Sequence, residues 1–181
     1  SFPYIYNNAF WPLIPPCHGD DYLAEVGNMN KYINIEPIQK LKGQHISLEA
    51  VLNLYNKGGI DFDFENRFNK SISILKEKEK YCDVIVSDFI KENCRKHKLF
   101  FTQNHPSTCV FVNVVNQILR ILGIDKSFEE FPKDINITKL PVFWPHTDYD
   151  IKYFGFPREN PDKFYNNEWY IEHIMKIYNL N

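Results

Sequence analysis

The chain has no excess charge of either sign: 21 Lys and Arg stand against 23 Asp and Glu, a formal net charge of −2 over 181 residues. Nucleic-acid binding calls for a clearly basic patch, so that partner class is set aside. "KEKEK" and "KENCRKHK" do gather Lys and Arg, but acidic residues interrupt both. The plainer reading is two solvated helix faces, with a basic rim for a phosphorylated ligand as the alternative. Cysteine is scarce. Cys17, Cys82, Cys94 and Cys109 form no C-x-x-C pair and have no His at zinc-finger spacing, so no structural metal is expected. Cys82, Cys94 and Cys109 lie in periodic apolar segments, where a thiol behaves as a small hydrophobe, which points to a reducing, cytoplasmic setting. No signal peptide or membrane span is visible, because Asn113, Asn116, Gln117 and Arg120 interrupt the most apolar stretch, Cys109 to Ile124. No internal repeat or low-complexity linker is present.

What the chain does have is length enough for one domain over residues 1–181 and an aromatic content of 16%, which is high for a soluble protein. It opens on "SFPYIY", already apolar and without an initiator Met, which raises the expectation of an N-terminal segment of a larger α/β fold upstream. The first forty residues carry five prolines and little helical period, so short extended pieces and loops are expected to pack over a helical body and wall a cleft.

Beyond them the pattern is helical. "ISLEAVLNLYNKGG" has a broad apolar face, Ser47 as the expected cap and Gly58-Gly59 as the stop. A helix is predicted from about Phe64 to Lys80, with "KEKEK" as its exposed end. "DVIVSDFIKENCRKHK" reads as a helix, with Val84-Ile85-Val86 equally readable as a short strand. "LFFT" is a buried strand. Ser107 to Leu122 is the strongest helix, its stripe of Val110, Phe111, Val114, Val115, Ile118, Leu119 and Leu122 making it the core helix. Residues 125–161 return to loops and short extended pieces. A last amphipathic helix follows in "FYNNEWYIEHIMKIYNL", with Trp169, Ile174, Ile177 and Tyr178 inward. The fold class expected is α/β and predominantly helical: amphipathic helices around a few short strands, with long aromatic- and proline-rich loops.

Four polar clusters compete as sites. At "FFTQNHPST" a strand turns tightly into a helix, so helix N–H groups and the positive end of the dipole face the turn, a natural place for a phosphate or carboxylate. Asn104 adds a donor, Ser107 or Thr108 caps the helix, and His105 could serve as base or donor. The bland alternative is a capped helix whose His satisfies a backbone carbonyl. "KGQHIS" repeats the logic with Gln44 and His45, which either converge on the same ligand or form an unrelated cap. "PPCHGDD" sets Cys17 beside His18, but neighbours in an extended chain point to opposite faces, so a turn begun by Asp20 or Asp21 is preferred to a nucleophile. "HTDYD" places His146, Asp148 and Asp150 at alternate positions. In a strand they would share a face and suit a metal or a His oriented by Asp; a polar surface turn is the preferred reading. Trp11, Tyr22, Tyr149, Tyr153, Phe154 and Phe156 share these loops, as in pockets for sugars, nucleobases or acyl chains, or they cover the core.

The segment "RKHKLFFTQNHPSTCVFVNVVNQILRILG" resembles the Asn-His-Pro region of the WcbI-type polysaccharide biosynthesis proteins. "FPYIYNNAFWPLIPP", "GQHISLEAVLNLYNKGGIDF" and "VIVSDFIKEN" fit the same order over about residues 1–125. The resemblance implies acetyltransferases of capsule and surface-glycan synthesis, mainly helical, with a coenzyme A site and a distant likeness to esterase folds. Asn104, His105, Pro106 and Ser107 match its most recognisable motif. The family's opening strand and Gly-Asn-Cys-Gln-like turn, which contributes to the ligand site, have no counterpart before Ser1.

The leading expectation is therefore transfer of an acetyl group from coenzyme A to a sugar hydroxyl. In it His105 is the general base and Asn104 orients the ligand. Ser107 and Thr108 receive the cofactor's phosphates or the oxyanion, with Gln44 and His45 in second rank. Its partners are then a small-molecule acyl donor and a saccharide acceptor. An esterase on acylated glycans and a non-catalytic glycan-binding domain are the alternatives.

Overall fold

A computed structural model describes residues 1–7, 9–10, 36–102, 104–128, 146–155 and 167–179. Within them the chain is predominantly helical, as expected, with one small β-hairpin. The helices are α1 (Glu36–Gly43), α2 (Leu48–Asn56), α3 (Phe64–Glu79), α4 (Ser87–Asn93), α5 (Thr108–Ile121), α6 (Asp148–Phe154) and α7 (Asn167–Tyr178). The hairpin pairs β1 (Phe100–Thr102) with β2 (His105–Pro106), antiparallel and with an irregular register.

Local chemistry explains most boundaries. Ser47 accepts a hydrogen bond from the Ala50 N–H and caps α2, while Gly58, at φ +72°, supplies the left-handed residue that lets the chain leave it. α1 corrects, for residues 36–40, the expectation that the first forty residues are loops and extended pieces; residues 1–7 are non-helical as expected, and 8 and 11–35 lie outside the described residues. The helix begins at Glu36 with Pro37 in its first turn, where a missing N–H costs nothing, and it buries Ile38. α6 likewise corrects, for 148–154, the loop expected over residues 125–161, of which 129–145 and 156–161 lie outside the described residues.

The core joins distant segments. Phe10 of the N-terminal segment packs its ring against Phe68, Phe100 and Phe154, so residues 9–10 are wedged between α3, β1 and α6. α7 lies on α1 and α2 and buries Tyr170, Ile174 and Ile177, with Tyr178 half-buried and donating its hydroxyl to the Ile46 carbonyl. Each such side chain contributes about 1.5–3 kcal/mol by leaving water. Cys94 and Cys109 are buried, as their apolar context implied.

Two segments differ from expectation for identifiable reasons. Val84-Ile85-Val86 is neither helix nor sheet strand. The Gln117 side chain takes a partner strand's place there, donating to the Ile85 carbonyl at 2.7 Å and accepting from the Ile85 N–H at 3.0 Å. α5 is not buried over its full apolar stripe: Cys109, Val110 and Val114 are buried, whereas Phe111, Val115 and Leu122 are exposed. It packs on α4 and β2, which cover one side of the helix.

Candidate functional site

The Asn-His-Pro turn lies at the tip of the hairpin and runs directly into α5. Its shape is held from both ends, the Ser107 N–H donating to the Leu99 carbonyl at 2.8 Å and Thr102 facing His105 across the strands. Thr102 is buried while Asn104 and His105 are exposed, so a fixed hydroxyl supports two accessible side chains. The Thr102 Oγ1 donates to Asn104 Oδ1 at 3.0 Å and lies 2.6 Å from His105 Nδ1; Asn104 Nδ2 donates to the Tyr4 hydroxyl at 3.1 Å. Thr102 has one hydroxyl proton. With that proton given to Asn104, its oxygen accepts from His105 Nδ1–H, and Nε2 carries the lone pair.

Ser107 occupies the cap position of α5, with φ −74° and ψ 168°, yet its hydroxyl makes no capping bond. It is 5% exposed and has no hydrogen-bond partner among the described residues. Because buried hydroxyls are nearly always paired, an orphan at the start of a 14-residue helix makes Ser107 a candidate ligand contact. Thr108, half-buried, begins the helix itself.

Gln44 and His45 occupy the bend between α1 and α2. His45 takes a left-handed conformation at φ 59°, and the backbone N–H groups of both bond to carbonyls of α1. Both are exposed, and no hydrogen bond joins either to Asn104, His105 or Ser107. Gln103, Cys17, His18, Asp20, Asp21, Trp11, Tyr22 and Phe156 lie outside the described residues.

"HTDYD" is not the polar surface turn expected of it. Asp148 to Phe154 is helix α6, Thr147 is its cap, and Asp150 accepts from the Thr147 N–H at 2.6 Å, from the Thr147 hydroxyl and from His146 Nδ1. Thr147 and Asp150 are wholly buried and His146 is 7% exposed. Asp148, at the first position of α6, is exposed instead. The signal for this box is Thr-x-x-Asp with a His four residues before the Asp, a helix-start spacing that alternation obscured. The wholly buried Tyr170 of α7 lies near this carboxylate. Burial first, then the negative charge of Asp150, pushes its phenol well above the usual value.

"KEKEK" hides a second buried carboxylate. Glu79 accepts from the Val86 N–H at 2.6 Å, from the Ser87 N–H at 2.8 Å and from the Ser87 hydroxyl, closing the start of α4 from the end of α3. Among the described residues no group of three His, Cys, Asp or Glu side chains is placed to hold a metal ion. No helix among them is long and apolar enough to cross a membrane.

The family model for the polysaccharide biosynthesis enzyme WcbI matches residues 1–127, which include the whole Asn-His-Pro turn. The chain belongs to the WcbI family. A solved structure of WcbI, described as a novel polysaccharide biosynthesis enzyme in its native form without a disulfide bond between coenzyme A and one of its cysteines, has the same fold. The TM-score is 0.61 at 18% identity over 98% of this chain. The chain spans 61% of that structure's length. No curated protein matches it.

Proposed function

We propose that this WcbI-family chain serves surface-polysaccharide synthesis as a coenzyme A-dependent acyltransferase, passing an acetyl group to a sugar hydroxyl at the Asn104–Ser107 turn. The observation that carries the reading is the orphaned, buried Ser107 hydroxyl at the start of α5, next to an exposed imidazole held by Thr102. A helix start with an unpaired hydroxyl suits the anionic groups of coenzyme A or a developing oxyanion, so the residues present fit the cofactor. The WcbI structure without a disulfide bond between coenzyme A and a cysteine supports the choice of donor.

Coenzyme A, when bound, would supply the acyl group as a thioester. His105 Nε2 takes the proton of the acceptor hydroxyl, its ring kept in the required tautomer by Thr102. The Ser107 hydroxyl and the first-turn N–H groups of α5 hold negative charge, and Asn104 ties the turn to Thr102 and Tyr4. Gln44 and His45 are kept as second-rank ligand contacts.

His105→Ala is expected to abolish acetyl transfer, by at least about 100-fold as is typical for loss of a general base, with the circular dichroism spectrum unchanged. Unchanged turnover in that variant overturns the assignment. Release of acetate with no need for coenzyme A favours the esterase instead, and saccharide binding indifferent to His105 with no turnover favours a glycan-binding domain.

A further inference from the structure

A cleft of about 620 Å³ lies between the loop that leaves α2, the start of α3 and one face of α6, and none of the residues of the Asn104–Ser107 turn lines it. That volume falls in the range of small-molecule pockets, about 300–1,000 Å³. Its wall is built rigidly. The Tyr149 ring stacks on Tyr55 at 5.3 Å, and its hydroxyl donates to the Tyr55 carbonyl at 2.7 Å while accepting from the Ile60 N–H at 3.4 Å. Tyr149 thereby pins the α2 exit loop to α6. Tyr153, one turn further along α6, stacks on Phe64 at 5.1 Å and meets the Phe154 ring edge at 4.9 Å, yet remains 37% exposed. It is a ring fixed by two others with part of its surface still in water.

The polar rim is balanced. Lys57 and Lys152 contribute two positive charges and Asp61 and Asp148 two negative ones, all on exposed side chains. A phosphorylated ligand would meet two carboxylates, and an acyl chain would meet four charges. A neutral molecule with apolar C–H faces and many hydroxyls satisfies both features: its ring packs on Tyr153, while carboxylates accept and ammonium groups donate around its edge.

We propose that the cleft formed by Tyr153, Tyr149, Lys57, Asp61, Asp148 and Lys152 binds an uncharged saccharide. The site is separate from the cofactor turn, and it rests on the acyl-transfer reading only for the source of that saccharide.

The test is saturation-transfer NMR and titration of the whole chain with maltotriose, mannotriose and galactobiose, with inorganic pyrophosphate as the anionic control. Wild type is compared with Tyr153→Ala and, because that change also removes packing on Phe64, with the exposed Lys152→Ala. Binding of at least one saccharide below about 10 mM, weakened about tenfold in Tyr153→Ala and measurably in Lys152→Ala, supports the site. No saccharide binding in that range, binding indifferent to both variants, or tighter binding of pyrophosphate at this cleft overturns it. Coenzyme A is titrated into the same samples. Saccharide binding that survives without coenzyme A binding removes the acyl-transfer reading and leaves this one; the reverse result removes this one alone.

Discussion

Replacing Ser107 by alanine separates a helix cap from a ligand site, because the two roles predict opposite changes in stability. A serine that caps a helix contributes about 1 kcal/mol, which alanine forfeits. Ser107 has the backbone of a cap but no capping bond, and its hydroxyl is buried without a partner among the described residues. Such a hydroxyl costs about 1–3 kcal/mol, and alanine removes the cost while emptying the space of one oxygen. Ser107→Ala is therefore expected to stabilise the free chain by about 1 kcal/mol, raising Tm by about 2–4 °C for a chain of this size. Urea denaturation and a thermal scan without ligand measure it. The same variant should weaken coenzyme A binding by about tenfold or more, since a hydrogen bond to a charged group is worth about 1.5–3 kcal/mol. A variant destabilised by about 1 kcal/mol would refute the reasoning, because it would show that Ser107 is a working cap.

Asp150→Ala leaves His146 and two Thr147 donors without their buried acceptor, and a loss of about 3–5 kcal/mol is expected by urea denaturation. Two glutamates of one charged run should part company in the same assay. Glu79→Ala strips the buried Val86 and Ser87 groups and should cost about 3 kcal/mol. Glu77→Ala, whose partner Lys80 is exposed, should stay within about 0.5 kcal/mol. Burial pushes the Cys109 thiol up to about 11 and Cys94 in the same direction, so neither should react with iodoacetamide in the native chain at pH 8, against full labelling in urea. Because the folded Cys109 holds its proton more tightly than the unfolded one, its contribution is intact below about pH 9 and is lost as pH rises toward 11. A serine at that position should flatten this alkaline decline.

The helices that were legible in the sequence are those with a repeated apolar face and a marked end. α2, α3, α5 and α7 all fall where the period places them, and the Ser47 cap and Gly58 exit are local events that local sequence records. What was not legible depends on distant neighbours. Glu79 looks like one more surface charge in "KEKEK" until the chain returns Val86 and Ser87 to its carboxylate. The amides Asn116 and Gln117 look like the wet side of α5, but they grip the backbones of Phe128 and Ile85, and Phe111 and Leu122 lie exposed on the same helix. In "HTDYD" alternation and an i,i+4 helix start coincide over so few residues that the pattern alone does not choose between them. Burial of Thr147 and Asp150 is what selects the helix. At the Asn-His-Pro turn the strand, the turn and the helix were all visible in the residues. The isolation of the Ser107 hydroxyl was not, since it follows from where Leu99 and Thr102 hold the chain.

The central claim is that the Asn104–Ser107 turn holds the cofactor, and calorimetric titration of the whole chain with coenzyme A and acetyl coenzyme A tests it most directly. Wild type, Asn104→Ala, His105→Ala and Ser107→Ala are compared under one set of conditions. Saturable binding to wild type that each substitution weakens, most of all Ser107→Ala, is the expected result. Absence of binding to wild type, or one affinity shared by all four proteins, would contradict it.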